Sequence, residues 1–289
     1  MENPDDKYLW KTDKEEYFPQ LSVCELVLGF FRFLIFLSFT LCIIPLFVLA
    51  KLFFKITGVK WPMIIIRRYW SILSLRLCSL KLKVEGSFPS EVCLVVSNHI
   101  SWLDILTIQS VADVVFVAKS DVKNWPGLGF LAKLANTLFV ERSPQKIGFH
   151  SKEANIILAE GNSICFFPEG TSSDGLRVLK FRSGFFQLAF RNMVEEKLPI
   201  LNIQPVTIFY EPVKSDVSSD FYGWWGNMSL IGHIIKVLCK SSGFITLKFH
   251  DLLKSDSFQD RKHLASKAED IIRDEVLNNM KKKHGINNE

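Results

Sequence analysis

The chain has 289 residues, 48% of them hydrophobic with 25 phenylalanines, and a formal net charge of +5. That length fits one large domain plus an appendage, and the positive balance suits an anionic lipid surface. Nucleic acid is excluded as a partner, because the basic residues interleave with long apolar runs instead of forming a recognition element.

Residues 1–22 are polar and charged and read as a surface tail. From Leu26 to Ala50 the chain is almost continuously hydrophobic, with Arg32 its one charge, and Phe33 to Ala50 is 18 residues without any. Such a run forms a transmembrane helix or a helix buried in one leaflet. A cleaved signal peptide fits poorly, since Glu2, Asp5, Asp6, Asp13, Glu15 and Glu16 precede the run and no small-x-small site follows. Lys51, Lys55, Lys60, Arg67, Arg68, Arg76, Lys81 and Lys83 come next, with Trp61, Tyr69 and Trp70 among them and no acid before Glu85. Cations and aromatic rings beside a hydrophobic helix mark a membrane interface, and the excess of cations after it keeps the rest of the chain on the cytoplasmic side. Arg32 and Pro45 leave three arrangements open: a single span, a re-entrant hairpin of 24–50 and 61–80, or a buried core helix.

Beyond residue 80, strand-like and helix-like stretches alternate. Strands are expected at 81–86, 92–97, 114–118, 137–140, 163–167, 202–209 and 243–250, and helices at 102–111, 127–135, 145–160 and 184–196. A last amphipathic helix is expected over about 257–280. The class is therefore α/β, a mixed open β-sheet of about seven strands flanked by helices, with an N-terminal hydrophobic membrane helix or helical hairpin. The expected partition is a tail (1–22), a membrane-anchoring segment (23–80) and a catalytic domain (81–289). The six cysteines, Cys24, Cys42, Cys78, Cys93, Cys165 and Cys239, sit mostly in apolar segments without C-x-x-C spacing. They read as reduced packing residues, not a disulfide framework, and no metal site is expected.

Two strands end in polar clusters. After Val92–Val96 come Ser97-Asn98-His99-Ile100-Ser101-Trp102-Leu103-Asp104, and 70 residues beyond His99 stand Glu169-Gly170-Thr171-Ser172-Ser173-Asp174-Gly175. Open α/β sheets build active sites at such carboxyl ends. On a straight helix His99 and Asp104 lie ~140° apart, so they meet only if the chain turns between them. Ser101-x-x-Asp104 has the form of a capping box that starts a helix at Ser101. The carboxylate then accepts the imidazole Nδ1–H and leaves Nε2 free as a base. Read alone, the spacing favours the plainer reading, a helix capped by Asp104 beside a hydrogen-bonded loop histidine. No G-x-S-x-G elbow, H-E-x-x-H or P-loop is present, and Gly127-x-Gly129-x-x-Ala132 follows Trp125-Pro126 instead of a strand.

Taken together, these segments resemble the glycerolipid acyltransferase family, the 1-acylglycerol-3-phosphate acyltransferases. The likeness rests on four ordered blocks between about residues 65 and 250. Asn98, His99 and Asp104 match N-H-x-x-x-x-D. Lys119, Pro126-Gly127-Leu128-Gly129 and the strand ending in Arg142 match the second block. Phe167–Thr171 match F-P-E-G-T, and Gln204–Ile208 match the P-V block. The resemblance implies that His99 is a general base with Asp104 as partner, and that Lys119, Arg142, Glu169, Gly170 and Thr171 bind the acceptor. It places the acceptor's phosphate on Arg142, whose planar fork suits it; Glu169 would repel phosphate and so holds a hydroxyl or orients Arg142. Lys180 and Arg182 add positive potential or are plain surface charge.

The implied reaction moves a fatty acyl group from an acyl thioester, on coenzyme A or acyl carrier protein, to a lysolipid hydroxyl without any cofactor. The first expected acceptor is 1-acyl-sn-glycerol-3-phosphate, giving phosphatidic acid. Two departures bear on it. Ser172 stands where many phosphatidic-acid-forming members have arginine, with Arg177 as a substitute charge, and Lys119-Ser120-Asp121-Val122 replaces K-x-E-L. The E-G-T-S-S-D-G form and Trp224-Trp225-Gly226-Asn227-Met228 also resemble lyso-ornithine-lipid acyltransferases, the alternative acceptor class. A phospholipid transacylase or hydrolase is the further rival. The acyl chain needs an apolar groove, for which Phe166, Phe167, Phe181, Phe185 and Phe186 are candidates unless they are core. Oligomeric state is left open.

Overall fold

The structure, a computed structural model, describes residues 18–141, 147–191, 201–213, 216–240 and 242–283. α1 (Val23–Thr57) begins at Ser22, whose hydroxyl and the Glu25 carboxylate form a reciprocal capping box, and ends at Gly58 with φ +73°. It runs unbroken through Pro45. α2 (Trp61–Leu77) folds back on it, with the Trp70 indole N–H donating to Thr40 Oγ1 at 3.0 Å. α1 and α2 thus pair as a helical hairpin.

Two of the three cations of α1, Arg32 and Lys51, are tied to helix carboxyl ends of the rest of the chain. Arg32 Nη1 donates to the Leu238 carbonyl at 2.8 Å, and Lys51 Nζ donates to the Leu134 carbonyl at 2.9 Å and Asn136 Oδ1 at 2.7 Å. Cations are favoured there by the helix dipole. The two anchors are 19 residues apart (51 − 32), or about 28 Å of helix. Over that length α1 lies along the body of the protein. Its other side bares Phe30, Phe31, Leu41, Leu49 and Ile56, an apolar surface far beyond what soluble monomers leave open.

Seven strands follow: β1 (Leu80–Glu85), β2 (Cys93–Ser97), β3 (Val114–Lys119), β4 (Leu138–Val140), β5 (Ser163–Phe166), β6 (Asn202–Pro212) and β7 (Gly243–Phe249). Their order is β1-β7-β6-β2-β5-β3-β4, parallel throughout except for the antiparallel β6–β7 pair. All seven expected strands are present, and the sheet is mixed as expected. Successive residues of β2 face opposite sides, as strand geometry requires. Cys93 and Val95 join a core with Leu103 and Leu106 of α3 (Leu103–Gln109), Leu75 of α2 and Val237 of α7 (Leu230–Lys240). Leu94 and Val96 join a second core with Ala154 and Leu158 of α5 (Ile147–Ala159), Leu188 of α6 (Gln187–Arg191) and Leu264, Ala268 and Ile272 of α8 (Arg261–Lys283). α4 (Leu128–Leu134) lies between β3 and β4.

Two helical expectations are corrected. No element was expected at 230–240, yet α7 forms there and covers the first core. α3 starts at Leu103 instead of Ser101, because Ser101 Oγ accepts from Leu103 N (3.3 Å) and not from Asp104 N. The acid half of the box survives: Asp104 Oδ2 accepts Ser101 N at 2.9 Å.

Candidate active site

β2, β5 and β3 lie side by side and parallel, so His99, Glu169 and Lys119 emerge at one sheet edge. Asn98 sets where the first loop leaves. Its Nδ2 donates to the Ile208 carbonyl and its Oδ1 accepts Ile208 N, both at 2.9 Å. A side-chain amide thus continues the β2–β6 ladder for one more rung, and His99 departs from a fixed point.

The turn at Ile100–Trp102 brings His99 and Asp104 together, with Nδ1 2.8 Å from Asp104 Oδ2. The same oxygen accepts Ile100 N at 2.7 Å. Asp104 is fully buried, whereas the His99 side chain is 18% exposed. With Nδ1–H on the carboxylate, Nε2 is the nitrogen left for a substrate proton. The ring stacks on Phe167 at 4.1 Å between centroids, which restricts its rotation.

Tyr210 escaped the sequence reading. Its buried hydroxyl donates to Asp104 Oδ1 at 2.9 Å, and Thr107 Oγ1 lies 3.3 Å from the same hydroxyl. A usable signal existed, since strand alternation puts Val206, Ile208 and Tyr210 on one face of β6, toward α3. Removing the hydroxyl leaves Oδ1 in an apolar site with no donor, a cost of about 1–3 kcal/mol. Tyr210→Phe is expected to lower kcat about tenfold by loosening the carboxylate, with acceptor KM unchanged. Steady-state kinetics check this, and an unaltered kcat would show that the contact is structural only.

Glu169 has both oxygens engaged, Oε1 by His99 N at 2.7 Å and Oε2 by Leu179 N at 2.9 Å. Burial raises its pKa to about 8 against the pull of those two N–H groups. The carboxyl clamps the second loop to the first, so it offers little to an incoming hydroxyl. Gly170 has φ +73°, and a Cβ there would sit 3.1 Å from Arg182 Nε. The glycine thus permits both the turn and the guanidinium lying over it. Arg182 is exposed, and its N–H bonds to the Pro168 carbonyl at 2.9 Å. Thr171 is half-buried nearby, and Lys119 ends β3 in an ion pair with Asp121 at 2.9 Å. Arg142 lies outside the described residues. Arg177, the substitute charge, pairs with the buried Asp174 at 3.1 Å. Phe166, Phe181 and Phe186 are core residues.

Further bonds hold the loops together. Ser173 N donates to the His99 carbonyl at 2.9 Å, and Phe181 N donates to Glu269 Oε2 of α8 at 2.7 Å. The arrangement is a half-buried, carboxylate-oriented histidine with Nε2 left for substrate, beside a rim that includes Lys119 and Arg182. It is suited to taking a proton from a hydroxyl beside an anionic or polar headgroup.

The sequence profile of the Acyltransferase family matches residues 81–208. A lyso-ornithine lipid O-acyltransferase of Rhodobacter capsulatus is 34% identical over 195 residues, 67% of this chain and 69% of that one. A 1-acyl-sn-glycerol-3-phosphate acyltransferase of Neisseria gonorrhoeae is 38% identical over 97 residues, 33% of this chain and 38% of that one. Among solved structures, the 1-acyl-sn-glycerophosphate acyltransferase PlsC of Thermotoga maritima superposes with a TM-score of 0.66 at 19% identity. That likeness covers 88% of this chain and 95% of PlsC, and it bears on the fold.

Proposed function

Because the chain belongs to the acyltransferase family, we propose that it moves a fatty acyl group from a thioester to the hydroxyl of a lyso-ornithine lipid at a membrane surface. The observation that carries the mechanism is the His99–Asp104 pair at 2.8 Å with Nε2 open. His99 Nε2 takes the proton of the acceptor hydroxyl as its oxygen attacks the thioester carbonyl. The C–S bond breaks, and the departing thiolate receives the proton from the imidazolium. Asp104 orients the ring and stabilises its charged form. No acyl-enzyme is required, since the hydroxyl is the nucleophile and the thiol a good leaving group. Coenzyme A or acyl carrier protein is the carrier, a co-substrate in place of a cofactor.

Lys119, Arg142 and Arg182, with Gly170 and Thr171, are proposed to receive the acceptor's polar end. Two observations favour the ornithine acceptor. The R. capsulatus relative matches over two thirds of both chains, whereas the Neisseria relative matches over one third of this one. Ser172 is buried where the resemblance leads one to expect an arginine. Lysophosphatidic acid is the second reading, supported by the cations of the rim. We place the 23–80 hairpin in one leaflet, held by its bare apolar side, with 81–289 as the catalytic domain on the cytoplasmic face, in keeping with the cations that follow α1.

The test is purified protein in liposomes with acyl-CoA or acyl-ACP and a panel of lysolipids. Lyso-ornithine lipid is expected to be acylated at least tenfold faster than lysophosphatidic acid, a gap of about 1.4 kcal/mol in the barrier. The reverse order would overturn the acceptor assignment, and acyl release without acceptor would make the protein a hydrolase.

A further inference from the structure

The backbone of Trp224 is pinned by both catalytic loops. Its N–H donates to the Ile100 carbonyl at 2.9 Å, one residue from His99, and its carbonyl accepts the Ser172 hydroxyl. Gly223 is packed so closely that a Cβ would sit 3.0 Å from Asp174 Cα and the Ser173 carbonyl. The Trp224 indole N–H is spent on the Met228 carbonyl at 2.9 Å, which orients the ring. Trp125, from the loop after β3, meets it edge to face at 6.3 Å, and both rings are half-buried. In the turn after His99, the Trp102 indole N–H donates to His233 Nδ1 at 3.0 Å. Burial lowers the His233 pKa to about 3, so this acceptor stays neutral across the working range.

An aromatic pair held this rigidly beside a base and a cationic rim has a specific use. Three nearby acids are engaged: Asp174 with Arg177, Asp121 with Lys119, and Glu169 with two backbone N–H groups. With these acids compensated, a headgroup ammonium approaching the rings finds its attraction at the indole faces. Cation–π contacts with tryptophan are the strongest of their kind.

We propose that Trp224 and Trp125 form the subsite for the primary ammonium of the acceptor headgroup, making them specificity-determining residues. This rests on the ornithine acceptor proposed above, whose headgroup carries a carboxylate for the cations and a δ-ammonium for the rings. The subsite is on the protein before substrate arrives, because Ile100 and Ser172 fasten it through the backbone.

The experiment compares lyso-ornithine lipid with its δ-N-acetylated form, which keeps the chain and carboxylate but has no positive charge. In the wild-type protein, acetylation is expected to raise acceptor KM about five- to tenfold, in line with one desolvated cation–π contact. In Trp224→Leu the two forms are expected to have equal KM, and in Trp224→Phe the difference shrinks without vanishing. A purely structural role for Trp224 lowers kcat for both forms and preserves their ratio. If Trp224→Leu or Trp224→Phe keeps the full wild-type ratio, or if acetylation costs the wild type nothing, the subsite is overturned while the acceptor reading stands. If the wild type acylates neither form, the acceptor reading falls and the subsite with it.

Discussion

His99→Ala is expected to lower kcat by about 10²–10⁴-fold, the usual contribution of a positioned general base. Binding of the acceptor to the protein in liposomes should persist, because the cationic rim and the apolar hairpin are untouched. The fold should also survive: the His99 side chain is partly exposed, and the loop is held by backbone bonds, His99 N to Glu169 and Ser173 N to the His99 carbonyl. The measurement is acyl transfer per folded molecule, with folding checked by thermal melting. Turnover within threefold of wild type would remove His99 from the mechanism.

Asp104→Asn has the second large effect, an expected loss of about 10²–10⁴-fold in kcat with little change in acceptor KM. The geometry argues that the variant folds. The asparagine oxygen can occupy the Oδ2 position, keeping its bonds to His99 Nδ1–H, Ile100 N and Ser101 N. Its amide nitrogen then faces Tyr210, whose hydroxyl can turn to accept. What disappears is the negative charge beside the imidazolium that forms during the reaction. A variant as active as wild type at every pH would mean that Asp104 serves only as a loop anchor. Comparing it with Tyr210→Phe separates charge from orientation, since that change keeps the charge and removes one of the bonds holding it.

Much of the architecture was legible along the chain. The strands stood out as short apolar runs bounded by turn residues, and residues 163–167 and 92–97 each ended in a polar cluster that pointed to one sheet edge. The His99–Asp104 turn followed from helix geometry, which keeps the two residues apart unless the chain bends. α7 was missed although Leu230, Ile234, Val237 and Leu238 have helical spacing. Its polar residues His233, Lys236 and Lys240 are buried. Lys236 lies over the Phe221 ring at 5.0 Å and Lys240 pairs with Asp216 at 2.9 Å, contacts that local pattern does not reveal. The docking of α1 along the body of the protein was closed to sequence for a similar reason. Arg32 is a fault in an isolated apolar helix and becomes an anchor only when the Leu238 carbonyl is placed beside it.

The sequence by itself determined the strands and the long apolar helix and offered His99 and Asp104 as a pair, because these depend on residue type and on spacings of a few positions. Tertiary structure alone decided that Glu169 clamps two loops, that Tyr210 completes the shell of Asp104, and that Trp224 bonds to Ile100, the residue after His99. These residues are separated from their partners by 70, 106 and 124 positions (169 − 99, 210 − 104, 224 − 100). They meet only because the strand order β6-β2-β5-β3 brings distant segments to one edge. Chain separation carries no record of that order, which is settled by how the two faces of the sheet bury their side chains.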